Sequence, residues 1–191
     1  MHNLTPYKII LASQSPRRKE LLSGLGIAYE SRVKQVDETY PETLHANEVA
    51  NYLAQKKASA YLKNLTQNEL VLTSDTVVIL GDTLLGKPKD LQEAKEMLQL
   101  LSGQKHAVTT AVCLQSIEKQ VVFEDTAWVT FKTLTEDEID YYLSHQPPLD
   151  KAGAYGIQDW LGYIAITKLE GSFYTVMGLP VHLVYQHLSD F

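Results

Sequence analysis

The run that opens the chain strongly limits how it can fold. The segment YKIILAS, ending at Ser13, is rich in β-branched and apolar residues, which is typical of a buried strand. Two residues later, Ser15 is a suitable N-cap and Pro16 suits the first position of a helix that continues through KELL. The sequence therefore predicts a strand that turns directly into a helix.

Strand-like and helix-like runs are mixed along the rest of the chain, without strict alternation. The predicted strands are AYESRV, ELVLTSDTVVIL, HAVTTAVCLQ, QVVFEDTAWVTFKTL and GYIAITKLEG, the third and fourth forming a hairpin. The predicted helices run from Asn47 to about Lys63, from Leu91 to Leu101 behind an Asp90–Glu93 capping box, from Thr135 to about His145, and onward from Pro180. We expect an α/β fold with a mixed central β-sheet flanked by helices, one domain over residues 1–191 with two lobes around a cleft.

Composition argues against two broad classes of protein. The net charge of −6 disfavours a general nucleic-acid-binding surface, which needs a basic face. No apolar run approaches the roughly 20 residues of a membrane span, and the first ten residues lack the apolar core of a signal peptide. The single cysteine, Cys113, lies in a strand-like run and is expected in the core, with no disulfide framework. We therefore expect a cytoplasmic protein without nucleic-acid or membrane partners.

Three cations open the first predicted helix, where the helix dipole favours anions. Arg17, Arg18 and Lys19 fall in its first turn, and the chain has only three arginines. A cation there loses about 0.3–1 kcal/mol relative to an anion, and a docked phosphate would reverse that loss. The Ser13 hydroxyl could add a donor. The alternative is a solvent-exposed turn whose charge is partly compensated by Glu20.

One aspartate stands in the middle of a strand-like run. Asp75 interrupts TSDTVVIL, although aspartate is disfavoured in strands and its neighbours have the character of buried residues. A buried carboxylate needs a partner, a metal or a catalytic role. The alternative is that Asp75 caps a turn or bulge between two short strands.

Three further positions are candidates for contact with a ligand. Gly86 and Pro88 fix the backbone around Lys87, and Lys57 lies beside alanines that would leave room for a ligand. Gln158 offers both a donor and an acceptor in a loop of small and aromatic residues. The alternatives are two solvated lysines and a glycine-rich loop plugged by aromatic side chains.

The chain resembles the Maf family of nucleoside triphosphate pyrophosphatases in an ordered series of motifs. These are LASQSPRRKELL, VDET, QKKA, SDTVVIL, GKP, LSGQKHAVTTAV, PLDKAGAYGIQ and MGLPV, which together cover nearly the whole chain. The resemblance implies hydrolysis of a nucleoside triphosphate between its α and β phosphates, giving a monophosphate and pyrophosphate, with Mg²⁺ or Mn²⁺ as cofactor. Members of the family are often homodimers, although nothing in the sequence fixes the oligomeric state.

The resemblance also implies roles for individual positions. The implied catalytic residues are Arg18, Lys57, Asp75 and Lys87, with Asp75 as the proton acceptor. The implied substrate-binding residues are Ser13, Arg17, Thr76 and Gln158. Asp75 and Glu38, with Asp37 beside them, are implied to hold the metal through oxygen ligands. Whether Asp75 is the base, a metal ligand or both stays open.

Three positions separate branches of the family. Arg17, Thr76 and Gln158 resemble the branch that hydrolyses dTTP and UTP, whereas Trp, Gln and Glu mark a branch that favours 7-methyl-GTP. Asp159 departs from the pattern, because many relatives have Gly there, and it could reshape the base pocket. The preference among dTTP, UTP, CTP and modified pyrimidine nucleotides therefore stays open.

Two other functions remain as alternatives at this point. One is a non-catalytic nucleotide-binding regulator of cell division, because the family name derives from septum formation. The other is a purine pyrophosphatase acting on ITP or XTP, whose overall shape the Maf fold is thought to resemble.

Overall fold

A computed structural model describes residues 5–191, so the first four residues of the N-terminal segment lie outside it. The strands are β1 (Lys8–Leu11), β2 (Tyr29–Ser31), β3 (Glu69–Leu80), β4 (Thr83–Leu85), β5 (Lys105–Gln115), β6 (Gln120–Phe131) and β7 (Ile166–Glu170). The helices are α1 (Pro16–Gly24), α2 (Ala46–Ser59), α3 (Leu91–Leu101), α4 (Glu136–His145), α5 (Trp160–Ala165), α6 (Phe173–Met177) and α7 (Val181–Ser189). Short 3₁₀ turns cover Leu62–Asn64 and Ala152–Ala154.

The strands form one mixed sheet, as predicted. Its order is β2-β1-β3-β5-β6-β7, with β4 paired to β3. β1 is parallel to both β2 and β3, whereas the β3–β4 and β6–β7 pairs are antiparallel. The turn at residues 116–119 joins the neighbouring strands β5 and β6, and the Ser116 backbone N–H donates to the Lys119 carbonyl at 2.9 Å. The mixed α/β fold flanked by helices is therefore confirmed.

The chain divides into two compact units. The first takes its residues from the ranges Met1–Asp75, Thr110–Asp125 and Gly178–Phe191. The second consists of Thr76–Thr109 and Thr126–Met177. Strands β3, β5 and β6 each contribute residues to both units. A unit boundary therefore falls immediately after Asp75, within β3.

The first unit packs a small apolar cluster beneath β1 and β3. Ile10, Tyr61 and Val71 are all buried in it. The Tyr61 hydroxyl donates to the Arg32 carbonyl at 2.8 Å and accepts from the Lys34 backbone N–H at 2.7 Å. These two bonds satisfy the hydroxyl of a buried tyrosine and attach the segment after β2 to the end of α2.

The second unit has an apolar core to which α3, α4, α5 and the sheet all contribute. Its buried residues include Leu98, Val129, Tyr142 and Leu161. α3 begins at Leu91, as predicted, but the capping box is only half formed. Asp90 accepts from the Glu93 backbone N–H at 2.8 Å, whereas the Glu93 side chain accepts from Lys89. α4 has the complete capping box that its sequence predicted.

The predicted strand over GYIAITKLEG is wrong in its first half. Residues up to Ala165 form α5, and only Ile166–Glu170 are extended. Gly162 explains the difference, because a Cβ atom there would lie 2.0 Å from the Ile157 carbonyl oxygen. The absence of a side chain lets this short helix pack against the preceding turn, a contact that the period-two pattern of apolar residues does not reveal.

Two expectations from composition can be compared with the structure. Cys113 is buried, as predicted, and burial raises the pKa of its thiol to about 12. Over residues 5–191, no helix has the length and apolar character needed to span a membrane.

An ion-pair network next to the sheet should govern part of the acid stability. The Arg32 guanidinium donates to the Glu69 carboxylate at 2.7 and 3.4 Å and to Glu30 at 2.9 Å. The Arg32 bonds, with a further bond from the Thr66 backbone, lower the pKa of Glu69 to about 2. The folded state therefore gains stability from Glu69 above its ordinary pKa of 4.5, and this gain is lost as the pH falls from 4.5 towards 2.

Replacing Glu69 with Gln should lower the free energy of unfolding at pH 7 by about 1.5–3 kcal/mol, because a charge-assisted hydrogen bond is lost. The deficit should shrink below pH 4.5, where wild-type Glu69 also begins to lose its advantage. Urea denaturation at pH 7 and at pH 3 measures both values. Glu42→Gln, at an exposed position, is the matched control. A deficit of equal size at both pH values would contradict the assignment.

Candidate active site

Asp75 lies within one uninterrupted strand of twelve residues, so the alternative of a turn between two short strands is wrong. Its side chain is only 8% exposed. The Lys57 ammonium donates to its Oδ2 atom at 3.0 Å. The sequence prediction that this carboxylate needs a partner is thus met by a cation from α2.

A hydrogen bond between β3 and α2 positions the helix so that Lys57 can reach Asp75. Thr73 and Asp75 are two residues apart on β3 and therefore project from the same face of the strand. The Thr73 hydroxyl donates to the Ala54 carbonyl of α2 at 2.7 Å. Lys57 follows Ala54 by three residues, so it lies on the same side of the helix, one turn further on. The backbone anchor at Thr73 thus sets Lys57 against Asp75.

Lys57 holds a second carboxylate as well. Glu38 Oε1 lies 3.0 Å from the Lys57 ammonium, the same distance as Asp75 Oδ2. The Lys57 side chain is 14% exposed, which reduces the screening of both attractions by water. Asp37, by contrast, accepts from Thr39 and lies 3.5 Å from the Lys56 ammonium. Two carboxylates from distant parts of the chain therefore meet at one lysine.

Arg18 is anchored by backbone carbonyl groups. Its Nε donates to the Gly178 carbonyl and its Nη1 to the Ser74 carbonyl, both at 2.8 Å. The Ser74 hydroxyl also donates to Gly178, at 3.1 Å. Burial lowers the pKa of Arg18, and the negative charge of Asp75 opposes that shift. The guanidinium is thus fixed close to Asp75, with its direction set by two carbonyl oxygens.

The opening turn of α1 contains the remaining predicted residues of the first unit. Ser15 caps the helix by accepting from the Arg18 backbone N–H at 3.5 Å, and the buried Ser13 Oγ accepts from Ser15 at 3.2 Å. No acidic side chain stands in the first turn of α1. Arg17 is partly buried in that turn. The first turn of α1 therefore carries arginines and no acidic side chain at the positive end of the helix dipole, as the sequence predicted.

Thr76, Lys87 and Gln158 belong to the second unit. Thr76 directly follows Asp75 on β3, and Lys87 is exposed in the irregular segment after β4. The Gly86 carbonyl accepts from the Gly153 backbone N–H at 3.0 Å, which attaches the Lys87 segment to the loop that leads to Gln158. Gly153 has a φ of 66° and Val78 side-chain atoms within about 3 Å of where a Cβ would lie.

Four residues with positioning roles were not predicted from sequence. Ser74 and Gly178 orient Arg18. Asp159 accepts from Gln158, and Tyr142 in turn donates to Asp159. For Asp159 the sequence gives one signal, its departure from the family pattern beside Gln158, but not the contacts that it makes. The others act through contacts between residues far apart in sequence, and local patterns carry no signal of such contacts.

The first unit offers two carboxylates to a divalent cation. Among residues 5–191, no group of three or more His, Cys, Asp and Glu side chains could hold a metal ion. Mg²⁺, however, commonly takes one or two carboxylates and completes its shell with water and substrate phosphates. Asp75 and Glu38 converge on one point, as their shared lysine shows. These residues therefore fit a magnesium-type ion that arrives with a phosphate ligand.

Comparison with known proteins gives a consistent picture. The model of the family described as Maf-like protein matches residues 8–191. A Porphyromonas gingivalis protein named dTTP/UTP pyrophosphatase is 53% identical over 194 residues, covering 100% of this chain and 98% of its own. A Phocaeicola vulgatus protein of the same name is 49% identical, covering 99% of this chain and 98% of its own.

The fold is also found in a solved structure. The Staphylococcus aureus Ham1 protein has a TM-score of 0.52 to this chain at 15% identity, covering 96% of this chain and 98% of that one. At such low identity the likeness concerns the fold alone. The match of the family model to nearly all residues, together with relatives about half identical over their full length, shows that the chain belongs to the Maf-like protein family.

Proposed function

We propose that this chain is a nucleoside triphosphate pyrophosphatase that hydrolyses dTTP and UTP to the monophosphate and pyrophosphate. The observation that carries the proposal is the Lys57 ammonium with its two carboxylates, Glu38 and Asp75, beside the anchored Arg18. It is supported by relatives about half identical to this chain that are named dTTP/UTP pyrophosphatases.

Charge balance explains why the reaction needs more than these four groups. Two cations, Arg18 and Lys57, face two carboxylates, so the cluster is close to neutral. A triphosphate tail brings several negative charges, and phosphoryl transfer depends on positioning and on neutralising that charge. We assign the further positive charge to Arg17 in the α1 turn and, from the family resemblance, to Lys87.

Asp75 is assigned as the proton acceptor. Water adds across the anhydride bond between the α and β phosphates, the bond breaks, and pyrophosphate leaves. The proton lost by the attacking water goes to a carboxylate oxygen of Asp75. Lys57 fixes that oxygen at 3.0 Å, and the strand buries the rest of the side chain. Asp75 is thus held in one orientation for the transfer.

Asp75 and Glu38 would also hold the divalent cation, Mg²⁺ or Mn²⁺. Bound there, the ion would neutralise phosphate oxygens and act as a Lewis acid. The roles of Ser13, Thr76 and Gln158 follow the family resemblance, with Ser13 near the phosphates and Thr76 and Gln158 near the base. We further propose that residues 1–191 act as a single pyrophosphatase domain, and that the enzyme works in the cytoplasm on free nucleotides.

Asp75→Asn should lower kcat for dTTP by about 10²–10⁴-fold, the usual contribution of a general base, while the fold is retained. Release of pyrophosphate with Mg²⁺ measures the effect, and the melting temperature checks the fold. Asp82→Asn, in the exposed turn after β3, makes the same chemical change as a control and should leave kcat within a few-fold of wild type. Near-normal turnover in Asp75→Asn would remove Asp75 from the mechanism.

Adjacent lysines on α2 provide a sharper comparison. Lys57 holds Glu38 and Asp75, whereas Lys56 donates to the Thr39 carbonyl at 2.6 Å and does not contact Asp75. Lys57→Met should reduce kcat/KM for dTTP and UTP by roughly 10²-fold or more, as for the loss of a preorganised charge. Lys56→Met should change it only a few-fold. Equal losses in the two variants would show that general charge, not the Lys57 cluster, matters.

A panel of dTTP, UTP, CTP, ITP and XTP separates the proposed function from its two alternatives. The enzyme should release pyrophosphate from dTTP and UTP and act far less on the purine nucleotides. Arg17→Ala should alter the order of preference among bases. Binding without turnover would favour a regulatory role, and preference for ITP or XTP would favour a purine pyrophosphatase. An unchanged profile in Arg17→Ala would remove Arg17 from base selection.

A further inference from the structure

We infer that Asp159 fixes which end of the Gln158 amide is the hydrogen-bond donor, and so makes the site select uracil and thymine over cytosine. The inference rests on the proposed function, since it assigns Gln158 to the base. It adds a positioning residue, Asp159, and its support, Tyr142. All the residues concerned lie in the second unit.

The carboxylate of Asp159 is held at both ends. The buried Tyr142 hydroxyl donates to Oδ2 at 2.9 Å, and the Lys151 ammonium lies 3.5 Å from the same oxygen. The other oxygen, Oδ1, accepts from Gln158 Nε2 at 3.2 Å. Asp159 is only 15% exposed, and it makes no side-chain cap to its own helix, α5, although it stands at the N-cap. Its carboxylate is therefore used entirely on these three neighbours.

Tyr142 can only donate to Asp159. The Asp159 carboxylate has no hydrogen to donate, so the hydrogen of this bond comes from the phenol. Burial raises the pKa of Tyr142, and the negative charge of Asp159 raises it further, so the phenol keeps its proton. Oδ2 thus accepts from Tyr142 and lies beside the positive charge of Lys151, whose ammonium donates to Asp150.

Gly156 leaves the space in which this arrangement fits. A Cβ atom there would lie 2.5 Å from Asp159 Oδ2 and 2.9 Å from Gln158 Nε2. Both side chains therefore pack directly over the glycine backbone. This close approach confines the carboxylate and the amide to one arrangement.

A carboxylate only accepts, so it forces the nitrogen end of the Gln158 amide towards it. The oxygen end, Oε1, is then turned the other way. Oε1 is buried and, among the residues that the structure describes, has no hydrogen-bond donor. A buried carbonyl oxygen without a donor is unfavourable, and a ligand that supplies one is bound more tightly. A base that reaches this buried oxygen can donate a hydrogen bond to it without competition from water.

The bases differ in what they offer to a fixed amide. Uracil and thymine present a ring N3–H donor beside a carbonyl acceptor, whereas cytosine presents a bare N3 acceptor beside an amino donor. A Gln158 amide of fixed polarity, with Oε1 as acceptor, pairs with the first pattern and opposes the second. A glutamine whose side-chain amide could rotate by half a turn would exchange Oε1 and Nε2 and match either pattern. Selection between the bases therefore requires a contact that prevents this rotation.

Asp159→Asn tests this inference directly, because it should change the preference between uracil and cytosine in one direction only. Tyr142 donates at the Oδ2 position and the positive charge of Lys151 lies beside it, so the asparagine carbonyl, not its NH₂, takes that place. The asparagine NH₂ then faces Gln158 and turns its amide over, placing a donor where Oε1 was. The ratio of UMP to CMP affinity should fall by about tenfold or more, the usual worth of one matched base contact. Tyr142→Phe should lower the same ratio by less.

Binding of UMP and CMP is measured by calorimetry, and kcat/KM for UTP and CTP by pyrophosphate release. Asp140→Asn is the matched control, since this exposed carboxylate pairs with Lys95 and not with the Gln158 loop. Gln158→Leu, alone and combined with Asp159→Asn, completes a double-mutant cycle. If Asp159 acts through Gln158, its effect on the ratio disappears in the Gln158→Leu background, which a general structural defect would not do.

Failure of this inference is distinguishable from failure of the proposed function. If wild type hydrolyses UTP but Asp159→Asn and Tyr142→Phe keep the wild-type ratio, the inference is wrong and the function stands. If wild type hydrolyses no nucleotide, the function is wrong, and the binding ratio still decides the role of Asp159. Equal affinity of wild type for UMP and CMP, or no affinity for either, overturns the inference. Tyr142→Phe carries the test if Asp159→Asn does not fold.

Discussion

The contact on which the proposed chemistry depends is the shared ion pair at Lys57. One ammonium lies 3.0 Å from Asp75 and 3.0 Å from Glu38. The three groups come from a strand, a loop and a helix, so only the folded first unit brings them together. Breaking a partly buried pair leaves a charge without compensation, which is costly. The cluster therefore forms only in the folded unit and also helps to stabilise it. It brings the carboxylates of Asp75 and Glu38 together at the Lys57 ammonium.

Arg18 explains part of the unusual charge at the start of α1. Sequence suggested that the arginines of the opening turn exist for an anion. The structure shows that Arg18 also has a structural role, since it donates to the carbonyl groups of Ser74 and Gly178. Its charge is thereby placed near Asp75, whose carboxylate favours the charged guanidinium. Arg17 is partly buried in the same turn, and the family resemblance, not a contact of its own, is what assigns it to substrate choice.

Local patterns predicted the fold well where local interactions decide it. Ser15 and Pro16 start α1, Thr135 and Glu138 start α4, and the strand-like run ELVLTSDTVVIL forms one strand. The failure at α5 has a different cause, because Gly162 permits a close contact with the carbonyl of Ile157, five residues earlier, that the period of apolar residues does not encode.

The candidate site likewise contains residues that the sequence could indicate and contacts that it could not. Asp75 and Arg18 were recognisable from the sequence, because a carboxylate in a strand and a cation at a helix start conflict with local preferences. Lys57 was marked only by its alanine neighbours and by the family resemblance. Their support was not evident. Thr73 setting the height of α2, Gly178 orienting Arg18 and Tyr142 holding Asp159 are contacts across 19, 160 and 17 residues of sequence. Such contacts become visible only in three dimensions.

The most direct measurement of the central claim is a crystal structure of Asp75→Asn with a non-hydrolysable α,β-imido analogue of dTTP and Mg²⁺. The account predicts phosphate oxygens within hydrogen-bond distance of the Lys57 ammonium, and the ion coordinated by Glu38. A triphosphate bound elsewhere on the protein, with Lys57 and Glu38 still paired only to each other, would contradict it.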